Sequence, residues 1–327
     1  MTSLIKPAVT TLELVVRRVT LEAKGINSYE LVDPARTELP AFTAGAHIDI
    51  HLPNGLVRQY SLSNSPRERH RYVIGVLRDP NGGGGSAAVH QLHAGDLVRV
   101  SWPRNNFELH PDACRSILLA GGIGVTPMKS MMHQLENARA DYELHYFCRG
   151  PEFAAFSEEF QVGIAQGRVH VHFDGGTPAN GFSIASLLQE APPGCHVYYC
   201  GPAGFMEACR HAAGHWGEGT VHFEHFKAPA KTPTGGETVV TDGFVAKINS
   251  TGEELLVPLG ESLADVLQNA GYPVETSCQS GLCGTCRIRY LAGEVDHQDY
   301  ILDDAEKASC LTACVSRGKS GVLVLDL

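Results

Sequence analysis

Four cysteines near the C-terminus could do chemistry together: Cys278, Cys283, Cys286 and, after an interval of 27 residues, Cys314. The spacing Cys278-x4-Cys283-x2-Cys286 puts three thiolates in one glycine-bearing loop, and the fourth arrives from a distant segment. That pattern suits a 2Fe-2S cluster, whose two irons need four thiolates. The negative charge of such a cluster must be offset by backbone N–H groups aimed at the sulfurs. Ser280-Gly281-Leu282-Cys283-Gly284-Thr285-Cys286 supplies a tight loop of little bulk, with Gly281 and Gly284 free to take conformations that other residues resist. A zinc site of Cys283, Cys286, Cys310 and Cys314 would use the same atoms, but it leaves Cys278 without a role and ignores both glycines. Cys310 then reads as an ordinary buried thiol, and Cys114, Cys148, Cys195 and Cys209 as core residues.

A hydride donor delivers two electrons together, whereas this cluster takes one at a time, so a carrier able to do both must stand between them. Flavin is the usual solution. Arg58-Gln59-Tyr60-Ser61-Leu62-Ser63 resembles the RxYS signature of the flavin domain in the ferredoxin-reductase superfamily. The resemblance implies that Tyr60 and its neighbour Leu62 pack on the isoalloxazine ring, that Ser61 and Ser63 tune its polar edge by hydrogen bonding, and that Arg58 pairs with phosphate. Bidentate arginine–phosphate pairing suits that last role. A plain half-exposed strand also fits Tyr-Ser-Leu-Ser. Downstream, Arg78-Asp-Pro-Asn-Gly-Gly83-Gly84-Gly85-Ser86 lets backbone N–H groups of Gly84 and Gly85 converge on a phosphate, with Ser86 adding a hydroxyl and Arg78 a charge. The alternative is a flexible surface loop. Related reductases commonly carry an arginine where this chain has Gly83, so the phosphate clamp would rest on Arg58 and Arg78.

Ile117-Leu-Leu-Ala-Gly121-Gly122-Ile-Gly124-Val-Thr126-Pro127-Met128 is an apolar strand, a glycine turn and a helix start, and a helix N-terminus favours the pyrophosphate of a dinucleotide. It resembles the superfamily's GGxGxTP motif. Tyr199-Cys200-Gly201-Pro202 resembles its CGP turn, which implies a place near the nicotinamide, with Cys200 close to the site of hydride transfer. A small residue at a strand end would look the same. Asp174 follows an apolar strand and could accept a hydrogen bond from the adenosine ribose, which favours NADH and would repel a 2′-phosphate; Arg149 could argue for phosphate, although a single exposed arginine usually has no such role. Phe226, near the end of Phe223-Glu-His-Phe226, resembles the family's ring-covering aromatic, although a core phenylalanine fits equally.

The elements that must hold these residues are legible in the hydrophobic pattern. At 327 residues, with 43% hydrophobic content, the chain is long enough for several packed cores. Alternation at Ile48, Ile50 and Leu52 before Pro53-Asn54-Gly55, then Tyr72–Leu77 and Leu97–Ser101, predicts a β-barrel. From Ser116, apolar strands (Ile117–Ala120, Tyr142–Phe147, Val169–Phe173, His196–Tyr199) alternate with helical segments, the signature of a parallel α/β sheet. The proline, threonine and glycine content of 227–236 predicts a linker. Beyond it, Phe244–Ser250 and Glu254–Leu259 read as a hairpin, and Leu263, Val266, Leu267 and Ala270 as a helix capped by Ser262 and ended by Gly271. The expected domains are 1–110 (flavin barrel), 111–228 (nicotinamide), 229–239 (linker) and 240–327 (ferredoxin).

The formal charge is −10, and from Val240 to Leu327 there are 13 acidic against 6 basic residues, so this quarter carries −7. No basic footprint for nucleic acid exists. The acidic run reads as a solvated face, or as a docking face for a basic redox partner. Met1 to Thr20 interleaves charges with short apolar runs, and no stretch approaches the ~20 apolar residues of a membrane span, so a cytoplasmic protein without a membrane partner is expected. The sixteen histidines form no HExxH motif and read as structural or surface residues.

The order flavin, nicotinamide, ferredoxin resembles the phthalate dioxygenase reductase and vanillate O-demethylase reductase family over nearly the whole chain, including Gly219-Thr-Val-His-Phe-Glu224 and Cys314-Val-Ser-Arg317. The resemblance implies an antiparallel β-barrel, an α/β parallel-sheet domain and an α+β β-grasp domain with a plant-type 2Fe-2S cluster. It also implies FMN, and delivery of electrons from NADH to a separate Rieske-type aromatic-ring oxygenase. Two alternatives remain: a reductase serving a monooxygenase or other acceptor, and a nucleotide-binding sensor with structural zinc.

Overall fold

The computed structural model describes residues 10–227 and 243–327, which fall into two compact units, one ending at Phe226 and the other starting at Lys227. The expected linker, 229–239, lies outside the described residues.

The first unit opens with an antiparallel barrel. Strands β1 (Thr11–Ala23), β2 (Ile26–Val32), β3 (His47–His51), β4 (Val57–Ser61), β5 (Tyr72–Leu77) and β6 (Leu97–Ser101) form a sheet ordered β4-β3-β6-β1-β2-β5, with α1 (Gly85–Val89) after β5. Past the end of β4, Leu62 bridges Ile74 of β5, joining the two edges and closing the barrel. Its core holds Leu14, Val16, Leu31, Ile48, Ile50, Leu62, Ile74 and Val100. Full burial of each such aliphatic side chain contributes about 1.5–3 kcal/mol.

The same unit continues as β7 (Arg115–Gly121), α2 (Val125–Ala138), β8 (Asp141–Cys148), α3 (Gln161–Ala165), β9 (Val169–Phe173), α4 (Ile184–Leu187), β10 (Cys195–Cys200), α5 (Ala203–Ala212) and β11 (Val221–Glu224). Its five strands are all parallel, ordered β11-β10-β7-β8-β9. One face packs Leu118, Leu144 and Tyr146 against Met128, Met131 and Leu135 of α2, and the other packs Leu119, Val197 and Tyr199 against Met206 and Cys209 of α5. Because β7 and β10 are neighbours but not consecutive, chain direction diverges between their carboxyl ends, and open α/β sheets bind ligands at such a switch point. Helix α2 also reaches the barrel: Lys129 Nζ donates to Ser63 O at 3.3 Å and Ser130 Oγ to Asn64 O at 3.0 Å.

The second unit contains β12 (Phe244–Ile248), β13 (Glu254–Val257), α6 (Leu263–Asn269), β14 (Arg287–Asp296), α7 (Asp304–Lys307), β15 (Cys310–Thr312) and β16 (Arg317–Leu325). The sheet order is β13-β12-β16-β14-β15, with β12 and β16 parallel and the other pairs antiparallel, the arrangement of a β-grasp. Helix α6 starts where expected, with Ser262 Oγ accepting the Asp265 N–H at 3.1 Å, and buries Leu263 and Leu267. The protein is thus multidomain, with an antiparallel barrel, a parallel α/β sheet and a C-terminal α+β unit. Among the described residues no helix is long and apolar enough to cross a membrane.

Candidate functional site

In the second unit the cysteine loop leads from the helix that ends at Asn269 into β14. The Cys278 sulfur accepts backbone N–H groups from Leu282 at 3.4 Å and Ser280 at 3.5 Å, and the Cys283 sulfur accepts from Thr285 N at 3.5 Å. The Cys283 thiol and these N–H groups hold the Cys278 thiol below its usual range. Gly281 has φ +74°, and a Cβ there would lie 3.0 Å from the Asp299 backbone, so bulk is excluded on both counts. The sulfurs interact most strongly as two pairs, Cys278 with Cys283 and Cys286 with Cys314. A tetrahedral zinc would hold all four within about 3.8 Å of one another. Among the described residues no three cysteine sulfurs lie within 4.8 Å. Two pairs fit two irons, and the donors on the sulfurs fit the cluster's charge.

In the first unit, β4 carries Arg58, Tyr60 and Ser61. The Arg58 guanidinium lies across the glycine loop: Nη2 donates to Gly83 O at 3.4 Å, and a Cβ on Gly85 would sit 2.5 Å from Arg58 Cγ. Gly84 adopts a left-handed conformation at the start of α1. Ser86 Oγ accepts from Asp79 N at 3.0 Å, which folds the loop back beside the end of β5, while Arg78 is exposed. Glycines that let an arginine and free N–H groups share one loop suit a phosphate. The half-buried Tyr60 has its phenol pushed up by burial. Leu62 is fully buried in the barrel core, and the Ser63 hydroxyl donates to Val73 O at 3.1 Å, whereas the buried Ser61 hydroxyl reaches beyond the barrel.

Ser61 points to a residue to which the sequence assigned no role of its own. Its hydroxyl donates to Glu224 Oε2 at 3.4 Å, across 163 positions of sequence. Burial pushes the Glu224 carboxyl up to about 8, and the Ser61 hydroxyl opposes this in part. His47 Nδ1 approaches Glu224 at 3.8 Å, but burial, aided by Arg104, lowers His47 to about 4. At neutral pH the imidazole is neutral and the carboxyl protonated, so the contact is not an ion pair. Beneath it, Asp49 accepts from Arg104 at 2.7 Å and from Gln59 at 3.2 Å. The outcome is a protonated carboxyl at the end of β11, able to donate.

Beside it lie the carboxyl ends of β7 and β10. Cys200 is fully buried, and burial, with Glu224 second, raises its thiol well above the usual range. A Cβ on Gly124 would fall 2.1 Å from Cys200 O, and one on Gly201 would fall 3.0 Å from Gly121 Cα. The GGxG and CGP turns therefore meet backbone to backbone, which only glycine permits. Gly122 has φ +53°. Thr126 Oγ1 donates to Ile123 O at 3.0 Å and, like Pro127, is buried, and Pro202 precedes the first turn of α5. Asp174, just past β9, accepts the Gly176 N–H at 2.7 Å in a turn beside Arg149. Phe226 is exposed.

Comparison with known proteins bears on these sites directly. Residues 246–319 match the 2Fe-2S iron-sulfur cluster binding domain, and residues 118–211 match the oxidoreductase NAD-binding domain. Phthalate dioxygenase reductase of Burkholderia cepacia is 43% identical over 93% of this chain and 94% of its own length, and vanillate O-demethylase oxidoreductase of Pseudomonas putida is 45% identical over 94% and 96%. The chain belongs to the phthalate dioxygenase reductase and vanillate O-demethylase reductase family. A solved phthalate dioxygenase reductase, described as a modular structure for electron transfer from pyridine nucleotides to [2Fe-2S], aligns with TM-score 0.73 and 41% identity over 97% of this chain and 98% of its own. Another relative, the tert-butanol monooxygenase / tert-amyl alcohol desaturase reductase subunit of Aquincola tertiaricarbonis, is 53% identical over 97% of this chain and 96% of its own. The protein is accordingly an oxidoreductase with an NAD-binding domain and a 2Fe-2S domain.

Proposed function

We propose that the protein takes electrons from NADH and passes them through FMN and a 2Fe-2S cluster to a separate Rieske-type oxygenase in the cytoplasm. When bound, the flavin accepts electrons in pairs and releases them singly, and the cluster carries them one at a time; the protein supplies binding and electrostatics. The observation that carries this reading is the meeting of barrel and sheet at Ser61, Glu224 and Cys200, where the carboxyl ends of β7 and β10 present the nucleotide turns.

Each part of the chain then has a task. Residues 1–110 hold the flavin, with Arg58, Arg78, Gly84, Gly85 and Ser86 on its phosphate and Tyr60, Leu62 and Ser63 shaping the wall behind its ring. Residues 111–228 hold NADH, with Gly121, Gly122, Gly124, Thr126 and Pro127 at the pyrophosphate, Asp174 at the adenosine ribose, and Cys200, Gly201 and Pro202 beside the nicotinamide. Phe226 covers the ring when no nicotinamide is there. Ser61 is oriented by Glu224, whose protonated carboxyl keeps negative charge away from the ring edge. Residues 240–327 hold the cluster through Cys278, Cys283, Cys286 and Cys314.

An acceptor acting on an aromatic ring is supported by the phthalate and vanillate relatives. A second reading, an oxygenase acting on a small tertiary alcohol, is favoured by the 53% identity to the tert-butanol monooxygenase reductase subunit. Cys283→Ser is expected to spare NADH oxidation by artificial dyes while reducing electron delivery to an added oxygenase at least a hundredfold. Equal loss of both activities in a folded variant contradicts the division of labour.

A further inference from the structure

The histidines of the parallel sheet, expected to be structural, include a group whose geometry asks for a ligand. On β8, Glu143 and His145 are two residues apart and so share one face; on the adjacent edge strand β9, His170 pairs directly with His145. One donor atom from each lies within 4.8 Å of the others. His145 is only 3% exposed. Its Nε2 and that of His170 lie 3.2 and 2.9 Å from Glu143 Oε1, yet both nitrogens are buried and make no hydrogen bond. The three donor atoms thus cluster at ion-pair distance, with both imidazole nitrogens buried.

We propose that Glu143, His145 and His170 form a binding site for a borderline divalent cation such as Zn²⁺, outside the cofactor sites. Two imidazoles and a carboxylate are a common donor set for zinc and leave a fourth position for water. The surroundings have the form expected around a metal. His145 Nδ1 lies 3.0 Å from His172 Nε2, so a proton on Nδ1 fixes the tautomer that turns the Nε2 lone pair towards the cation. Glu143 Oε2 is taken by Arg115 at 2.6 Å, which leaves Oε1 for the metal. Phe182 stacks on His172 at 4.4 Å and shields the rings from water on that side. A cation here would tie edge strand β9 to β8 without touching the cysteines or the nucleotide turns.

The holoprotein, dialysed against a weak chelator, can be titrated with Zn²⁺ under competition, reading bound zinc, iron content and thermal midpoint. The wild type is expected to bind one more zinc than His170→Ala, or to bind it about tenfold or more tighter, with a higher midpoint and unchanged iron. Glu143→Gln, which replaces the carboxylate with a neutral carboxamide of the same shape, is expected to behave as His170→Ala does. Should His170→Ala fail to fold, Glu143→Gln alone decides. Identical zinc stoichiometry, affinity and midpoint shift in the wild type and the folded variants would overturn the proposal, because any zinc bound would then sit elsewhere.

Discussion

Glu224 carries a pH dependence whose sign is fixed by its burial. An ordinary glutamate ionises near 4.5, whereas Glu224 in the folded chain does so near 8. Below about 4.5 both folded and unfolded chains are protonated, and the contribution to stability is complete. As pH rises towards 8 only the unfolded chain ionises, so stability is progressively lost across that window and changes no further above it. Against Glu224→Gln, the wild type is expected to lose on the order of a few kcal/mol between pH 5 and pH 8, read from denaturant midpoints at each pH; parallel slopes would show that the carboxyl is not held protonated. At this scale the sequence was legible where chemistry dictates backbone, as in the glycines of the cysteine loop and nucleotide turns. Glu224 was not legible as a partner of the flavin strand, because an acid at a strand end looks like any solvated acid and Ser61 is 163 positions away.

Helix α2 does two jobs at once, presenting the glycine turn at its start and pinning the barrel from its middle. Lys129 is buried, yet its ammonium reaches Ser63 O, the Glu159 carboxylate at 2.9 Å and the face of Phe156 at 4.7 Å. Lys129→Met should cost about 1.5–3 kcal/mol, since a charge-assisted bond to a buried carbonyl is lost. Thermal or denaturant unfolding checks this, and an unchanged midpoint would mean the barrel carbonyl needs no such donor. Strands with clean alternation or unbroken apolar runs, such as Tyr72–Leu77, Leu97–Ser101 and Val169–Phe173, lie where the sequence predicts. The first strand did not announce itself, because Arg17 falls at a register shift between Val16 and Arg18 that breaks the period of two. The short helices α3 and α4 left no periodic stripe either, being only 5 and 4 residues long.

For the molecule as a whole, the barrel and the parallel sheet were readable in the hydrophobic pattern, whereas the β-grasp was expected from the family resemblance, the pattern there giving only a hairpin and a helix. Tertiary pairing was not, since the alignment of Glu143, His145 and His170 depends on β8 and β9 being neighbours in register. The central claim is that one chain joins a pyridine nucleotide site to a one-electron centre. It is tested most directly by adding NADH to the purified protein under anaerobic conditions while recording visible absorbance. The account predicts that both flavin and iron-sulfur bands bleach. A flavin that bleaches while the cluster stays oxidised, or a protein that does not bleach at all, would contradict it.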